Sequence, residues 1–128
     1  MVSQEVIQTT ITNYFAANNA LDVERFVNAF ATDAAMYNVA EISPITGYDA
    51  IRQAAQQMLT PYSELNATIN RVFISGEGAA IFYTAHLTAK NGRTATVEGI
   101  DVFEINSEGK IQAIRYYVDP TPVLALFS

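Results

Sequence analysis

Hydrophobic residues recur at helical spacing in the first half of the chain. Ile7, Ile11 and Tyr14 follow one another at steps of four and three, so they lie on one face of a helix. Asp22 is suited to cap a second helix, because its carboxylate can accept the free backbone N–H groups of a first turn. The predicted elements are helices at 4–18, from Asp22 to 31–33 and at 49–59, with a short extended segment at 36–39.

After Pro61 the apolar residues alternate with a period of two, which is typical of strands. Turn sequences divide this region, and Asn91-Gly92 is the strongest because both residues tolerate the positive φ of a tight hairpin. The predicted strands are 66–75, 79–90, 93–106 and 110–119. Helices followed by strands favour an α+β fold in which the helices pack on one face of an antiparallel meander.

The strand at 79–89 is largely uncharged on both of its faces. An antiparallel sheet with one solvated face carries polar residues on that face. We therefore expect one face to meet the helices and the other to meet a second copy of the chain in a homodimer. The apolar C-terminal segment 123–127 is expected to cover a cavity mouth or to join the dimer contact.

Length and charge exclude several classes of protein. The 128 residues are 50 % hydrophobic, which predicts a single domain over 1–128 with one sizeable core. Seven basic against thirteen acidic residues give a net charge of −6, so nucleic acid and anionic membranes are not expected partners. A polar N-terminus and the lack of a long apolar run predict neither a signal peptide nor a membrane span, and hence a cytoplasmic protein.

The residues also argue against a metal or a cofactor. The sequence has no cysteine and a single histidine, which gives no zinc-ligand spacing. It contains neither a phosphate-binding loop nor a nucleophile elbow, and Gly76-Glu77-Gly78 is a hairpin turn rather than the start of a dinucleotide fingerprint. We therefore predict no metal and no cofactor.

Asp101 is the most informative polar residue. It alternates with Gly99 and Phe103 on the apolar face of its strand, so its side chain is predicted to point into the core. An ionised carboxylate is very costly there, so we expect Asp101 to be protonated or strongly hydrogen-bonded. It is then either a structural acid bonded to the backbone or to a tyrosine, or a neutral acid that donates a hydrogen bond to a ligand.

Two further residues are candidates for chemistry. Tyr14 lies on the buried stripe of the first helix and is either a core tyrosine or, beside a buried Asp, a second donor. His86 is the only histidine and is suited to act as general acid or base near neutral pH. The alternative for His86 is an exposed or dimer-facing position.

Five short motifs span nearly the whole chain. They are Tyr14-Phe-Ala-Ala-Asn-Asn-Ala-Leu-Asp22, Phe30-Ala-Thr-Asp-Ala34, Gly47-Tyr-Asp-Ala-Ile51, Gly99-Ile-Asp-Val-Phe103 and Gly109-Lys-Ile111. In order and spacing they resemble the ketosteroid-isomerase branch of the nuclear-transport-factor-2-like superfamily, which also includes polyketide cyclases of the SnoaL type. The resemblance implies a cystatin-like cone: an α+β barrel of three N-terminal helices on a strongly curved antiparallel sheet, with an apolar cavity and often a homodimer.

The resemblance also implies roles for particular residues. By position, Tyr14 matches the family's tyrosine and Asp101 its protonated aspartic acid, which together stabilise an enolate oxygen. The family's general base falls at Asn38, where an amide cannot accept a proton at neutral pH. The donors of the family's oxyanion hole are therefore expected to be present, while its base is missing.

Three hypotheses fit this combination. Glu41 or His86 takes over as the base; or the reaction needs only electrophilic help, as in a hydration, dehydration or cyclisation; or an apolar carbonyl compound binds without turnover. In the last case the pocket lining is predicted to include Phe82, Phe103, Ile114 and Tyr116. The alternative from another class is an interaction module that docks a partner protein on the sheet or at the cavity mouth.

Overall fold

The computed structural model describes residues 2–38 and 43–128. In chain order the elements are α1 (Gln4–Asn19), α2 (Val23–Asn28), β1 (Phe30–Tyr37), β2 (Ile45–Thr46), α3 (Tyr48–Leu59), β3 (Tyr62–Ser75), β4 (Gly78–Ala89), β5 (Thr94–Ile105), β6 (Ile111–Val118) and α4 (Thr121–Ala125). None of these helices is both long and apolar enough to cross a membrane.

The strands form one sheet of six, in the order β2-β1-β6-β5-β4-β3. Strands β3 to β6 are an antiparallel meander, as the alternation predicts, while β1 pairs with β6 in parallel. The sheet is therefore mixed rather than purely antiparallel. The fold is α+β, with the helices against one face of the sheet, and the opposite face is called the outer face below.

Side-chain caps fix the starts of the two N-terminal helices. Ser3 accepts a hydrogen bond from the backbone N–H of Val6 at 3.2 Å, and Asp22 accepts one from Arg25 at 3.2 Å. The side-chain amide of Asn19 holds the end of α1 against β3, because it donates to the backbone oxygen of Ala67 at 3.1 Å and accepts from its N–H at 2.8 Å. These bonds fix the buried stripe of α1 over the sheet.

The expected end of the second helix is wrong by several residues. α2 stops at Asn28, and β1 already begins at Phe30. The backbone oxygen of Ala29 accepts a hydrogen bond from Ile111 at 2.9 Å, which starts the pairing of β1 with β6. This contact joins residues distant in sequence, so local periodicity does not contain it.

Register shifts bend the sheet around the helices. They include two in β3, between Tyr62 and Glu64 and between Ile69 and Arg71, and one in β6, where Gln112 is skipped in the pairing with β5. An extra residue in one strand of a pair kinks that strand and increases its twist. The bent sheet and the helices enclose one continuous hydrophobic core.

The C-terminal residues form a short helix that the sequence pattern does not predict. α4 is followed by Leu126, whose side chain is buried. The β4–β5 turn holds this segment, because Asn91 donates to the backbone oxygen of Leu126 at 2.8 Å. Arg93 donates to the backbone oxygens of Ala125 at 3.1 Å and Ser128 at 2.8 Å. The apolar C-terminal segment is thus packed on the domain.

Candidate functional site

A cavity of about 430 Å³ lies between the helices and the sheet. Residues of α1, α3, α4 and strands β3 to β6 line it, and most of them are apolar. The exceptions include Tyr14, Asn18 and Asp101. A second pocket, of about 380 Å³ and mainly polar, lies on the surface between α1, α2 and the β5–β6 turn; the described residues that line it include none of the predicted site residues.

Asp101 lies on the cavity side of β5, as its alternation predicts, and only 3 % of its surface is exposed. Its Oδ1 atom is buried and has no hydrogen-bond partner within residues 2–38 and 43–128. Burial raises the pKa of the carboxyl group to about 8, because the charged form loses its hydration. At neutral pH the carboxyl group is therefore mainly un-ionised and has a proton to donate.

Tyr14 and Tyr116 form a hydrogen-bonded pair beside this carboxyl group. Tyr116 lies directly opposite Asp101 in the pairing of β5 with β6. The hydroxyl oxygens of Tyr14 and Tyr116 are 2.8 Å apart, and either can donate. Burial raises the pKa of both hydroxyls, and nearby groups that include Asp101 raise it further. One hydrogen of the pair is used within it, so a second remains for another acceptor.

Gly99 makes room for a third tyrosine in the cavity wall. Tyr83 lies opposite Gly99 in the pairing of β4 with β5, and its side chain also lines the cavity. A Cβ atom on Gly99 would lie only 2.6 Å from the Tyr83 hydroxyl oxygen. Burial and the neighbouring Asp101 raise the pKa of Tyr83. The missing side chain at Gly99 lets the tyrosine ring cross β5 near Asp101.

The structure brings Tyr14, Asp101 and Tyr116 together, and with Asn38 they are the four predicted site residues, among those described, that line the cavity. Phe103 and Ile114 point to the same side of the sheet but are fully buried behind the cavity, in the core. The ring of Phe103 packs edge-on against Tyr14, with centroids 5.2 Å apart. These two residues support the tyrosine rather than line the pocket, which corrects their predicted role.

The predictions for Phe82 and His86 are contradicted by the register of β4. Phe82 pairs with Ile100, one position away from the inward pair of Ile81 and Asp101, so it faces outward. His86 is exposed on the same outer face, and its Nδ1 atom lies 2.9 Å from the hydroxyl of Thr96. Alternation excludes both side chains from the cavity, so His86 is not placed to serve as its base.

Two of the predicted site residues, Asn38 and Glu41, lie between β1 and β2 in the sequence. Asn38 is exposed and lines the cavity, at the position where the family resemblance puts the base. Glu41, the other predicted proton carrier, lies outside the described residues. In the described ranges no group of three or more His, Asp or Glu residues is arranged to hold a metal ion.

Among the polar cavity residues that are absent from the predicted site are Asn18 and Tyr83. Asn18 lies one helical turn after Tyr14 on the same stripe of α1, and that spacing is the signal that identifies it. Tyr83 shares its strand face with Ile81, which is the inward face. Because neither face of this strand carries charge, the sequence alone does not show which side is inward.

Solved structures share this architecture. A nuclear-transport-factor-2-like protein of unknown function from Burkholderia pseudomallei superposes with a TM-score of 0.83 at 19 % identity, over 96 % of this chain and 98 % of that one. SalBIII is an epoxide hydrolase/cyclase-like enzyme in pyran ring formation of the polyether salinomycin. It superposes with a TM-score of 0.82 at 23 % identity, over 95 % of this chain and 97 % of that one.

A third similar structure contains a ligand. It is a Mycobacterium tuberculosis protein in complex with estradiol-17β-hemisuccinate, with a TM-score of 0.80 at 19 % identity, over 91 % of this chain and 96 % of that one. At these identities the three structures establish the cone-shaped fold. The family model of the SnoaL-like domain matches residues 11–114, which include the cavity residues on α1 and β3 to β5. This chain therefore belongs to the SnoaL-like domain family.

Proposed function

We propose that this protein binds an apolar small molecule through a carbonyl or phenolic oxygen, which accepts hydrogen bonds from Asp101 and from the Tyr14–Tyr116 pair. The observation that carries the proposal is the un-ionised carboxyl group of Asp101, which lines an apolar cavity and has a buried oxygen without a partner in the described chain. A neutral acid in a dry site is a strong donor to a developing negative charge. The apolar walls suit the rest of such a ligand.

The donors alone suit reactions of the isomerase, cyclase or dehydratase type on a carbonyl compound. Where an enolate or alkoxide oxygen develops charge, each donor typically contributes about 100- to 1,000-fold in rate. Proton abstraction needs a base, and neither Asn38 nor the outward-facing His86 supplies one in the cavity. We therefore favour a step that needs electrophilic help, with Glu41 as the remaining candidate for a proton carrier.

Two similar structures support the small-molecule class. SalBIII is described as cyclase-like, and the Mycobacterium tuberculosis protein was crystallised with a steroid ester. Binding without turnover is the second candidate function, and the amide at Asn38 favours it because an amide cannot take up a proton. Product formation from any ketone that stabilises the protein against heat would separate catalysis from simple binding.

A fluorescence titration with 2-naphthol tests the binding proposal. Tyr14→Phe and Asp101→Leu each remove a donor, so each is expected to weaken binding about 3- to 10-fold, the range for one hydrogen bond. Tyr62→Phe is the matched control, because it removes a hydroxyl from another wall of the same cavity. Equal affinity of all four proteins, with their folding confirmed by circular dichroism, would refute the donor assignment.

We also propose that the protein forms a homodimer through the outer face of the sheet. Phe82, Ile100 and Tyr117 lie in one row across β4, β5 and β6. Ile100 is 44 % exposed and Tyr117 is 56 % exposed, which is unusual for large apolar side chains in the middle of a sheet. A two-fold partner would cover this row with the same row of a second chain.

A further inference from the structure

Asn18 presents an unsatisfied hydrogen-bond acceptor to the cavity. Its side chain lines the cavity wall, and its buried Oδ1 atom has no partner in the described part of the chain. The next residue, Asn19, gives the contrast, because both polar atoms of its side chain bond to the backbone of Ala67. Asn19 thus has a structural role that Asn18 lacks.

The unpaired oxygen is costly for the folded protein. Leaving a buried amide oxygen without a hydrogen bond destabilises the folded state, whereas a leucine in the same apolar wall would carry no such penalty. A buried polar atom of this kind in a cavity is explained when a ligand satisfies it. Because a carbonyl oxygen only accepts, the matching ligand group must donate a hydrogen.

The position of Asn18 relates this acceptor to the donors of the proposed site. Tyr14 lies four residues earlier on α1, so the two side chains are neighbours on one helix face, about 6 Å apart along the axis. We propose that Asn18 is a second polar subsite, which accepts a hydrogen bond from a hydroxyl group of the ligand. The ligand class is therefore an apolar compound with two oxygens: a carbonyl or phenolic oxygen held by Asp101 and Tyr14, and a separate hydroxyl group.

This inference rests on the proposed function, and naphthols test both. The probes are 2-naphthol, which has one hydroxyl group, and the isomeric dihydroxynaphthalenes, in which the separation of the two hydroxyls varies. Each is titrated into the parent, Asn18→Leu and Asn13→Leu proteins. Asn13 is exposed on the same helix and does not line this cavity, so it controls for the chemical change.

We expect at least one dihydroxynaphthalene to bind the parent about 3- to 10-fold more tightly than 2-naphthol does. Asn18→Leu should abolish that advantage, so that the two probes bind it with similar affinity, while Asn13→Leu keeps the advantage. Asn18→Leu should also raise the melting temperature of the unliganded protein, because it removes an unpaired polar atom.

The outcomes separate the two proposals. One outcome is that the affinity for 2-naphthol depends on Tyr14 and Asp101, but that no dihydroxynaphthalene owes a tighter binding to Asn18. The second subsite is then refuted and the first stands. A lower melting temperature for Asn18→Leu, with unchanged affinities, would instead assign Asn18 a structural role. If no naphthol binds the parent, both proposals fail.

Discussion

Asp101 determines the chemistry of the cavity at the scale of single residues. The same burial that keeps its carboxyl group un-ionised makes the group sensitive to pH. Its pKa of about 8 in the folded chain lies well above the ordinary value of 3.8 that it regains on unfolding. A raised pKa means that the folded state holds its proton more tightly, so its stabilising effect is complete below pH 4 and is lost as the pH rises through about 8.

Asp101→Asn should remove this pH dependence. The amide cannot ionise, so the variant should gain stability relative to the parent as the pH rises, by about 1.4 kcal/mol per unit between the two pKa values. Urea unfolding from pH 4 to 9 measures the difference. Asp49→Asn, a change at an exposed carboxylate on α3, is the control. A constant difference between parent and Asp101→Asn across this range would contradict the burial of a titrating acid.

Some of the site residues could be predicted from the sequence, and others could not. Asp101 interrupts an apolar strand face, and Tyr14 lies on a helical stripe, so pattern alone directs both inward. The face of β4 is not determined in this way, because Phe82 and Tyr83 are both aromatic and neither face is charged. Only the pairing of Ile81 with Asp101 shows that Tyr83 is the inward residue.

At the scale of elements, the pairing of β4 with β5 shapes the cavity. The close approach of Tyr83 to Gly99 depends on the absence of a side chain at Gly99. A Cβ atom there would lie 2.6 Å from the Tyr83 hydroxyl oxygen and 3.1 Å from the backbone oxygen of Tyr117. The side chain can move away, but the backbone of the neighbouring strand cannot do so without disturbing the sheet.

Gly99→Ala should therefore destabilise the protein by about 1–3 kcal/mol, the usual cost of overpacking. The penalty should shrink in a Tyr83→Leu background, where the crossing ring is gone, and the difference measures the coupling of the two positions. Gly78→Ala is the matched control, because its Cβ would meet its nearest neighbour at an ordinary 3.5 Å. Equal costs of Gly99→Ala in both backgrounds would refute this account.

The elements themselves were predictable where local pattern determines them. The caps of α1 and α2 and the turns between β3, β4, β5 and β6 follow from residues close in sequence. The first strand does not, because its partner β6 lies about eighty residues further along the chain and local periodicity carries no record of that pairing. α4 is also unpredicted, since bonds from Asn91 and Arg93 hold its end in place.

At the scale of the whole molecule, the outer face of the sheet carries an apolar row. The other face meets the helices, while this row consists of Phe82, Ile100 and Tyr117, of which Ile100 and Tyr117 are exposed. Both faces of β4 lack charge in the sequence, which is the feature that predicts a homodimer. The row is continuous across three strands, so a single charged residue within it should prevent association.

We expect the parent to have twice the chain mass of 14.0 kDa in light scattering. Ile100→Glu should halve that mass, because it places an unpaired charge in the centre of the contact. Leu124→Glu changes another exposed apolar residue, which lies on α4 rather than on the outer face of the sheet, and should leave the mass unchanged. A parent protein with the monomer mass at every concentration tested would exclude the dimer.

The most direct measurement is a carbon-13 NMR titration of the aspartate carboxyl groups, with the Asp101 signal assigned by its loss in Asp101→Asn. We predict that this signal titrates near pH 8. Its pKa should rise further when an anionic phenol such as pentafluorophenol binds, because a neighbouring anion favours the protonated acid. A carboxyl group that titrates near its ordinary value and does not respond to the phenol would contradict an un-ionised donor in the cavity, and with it the proposed function.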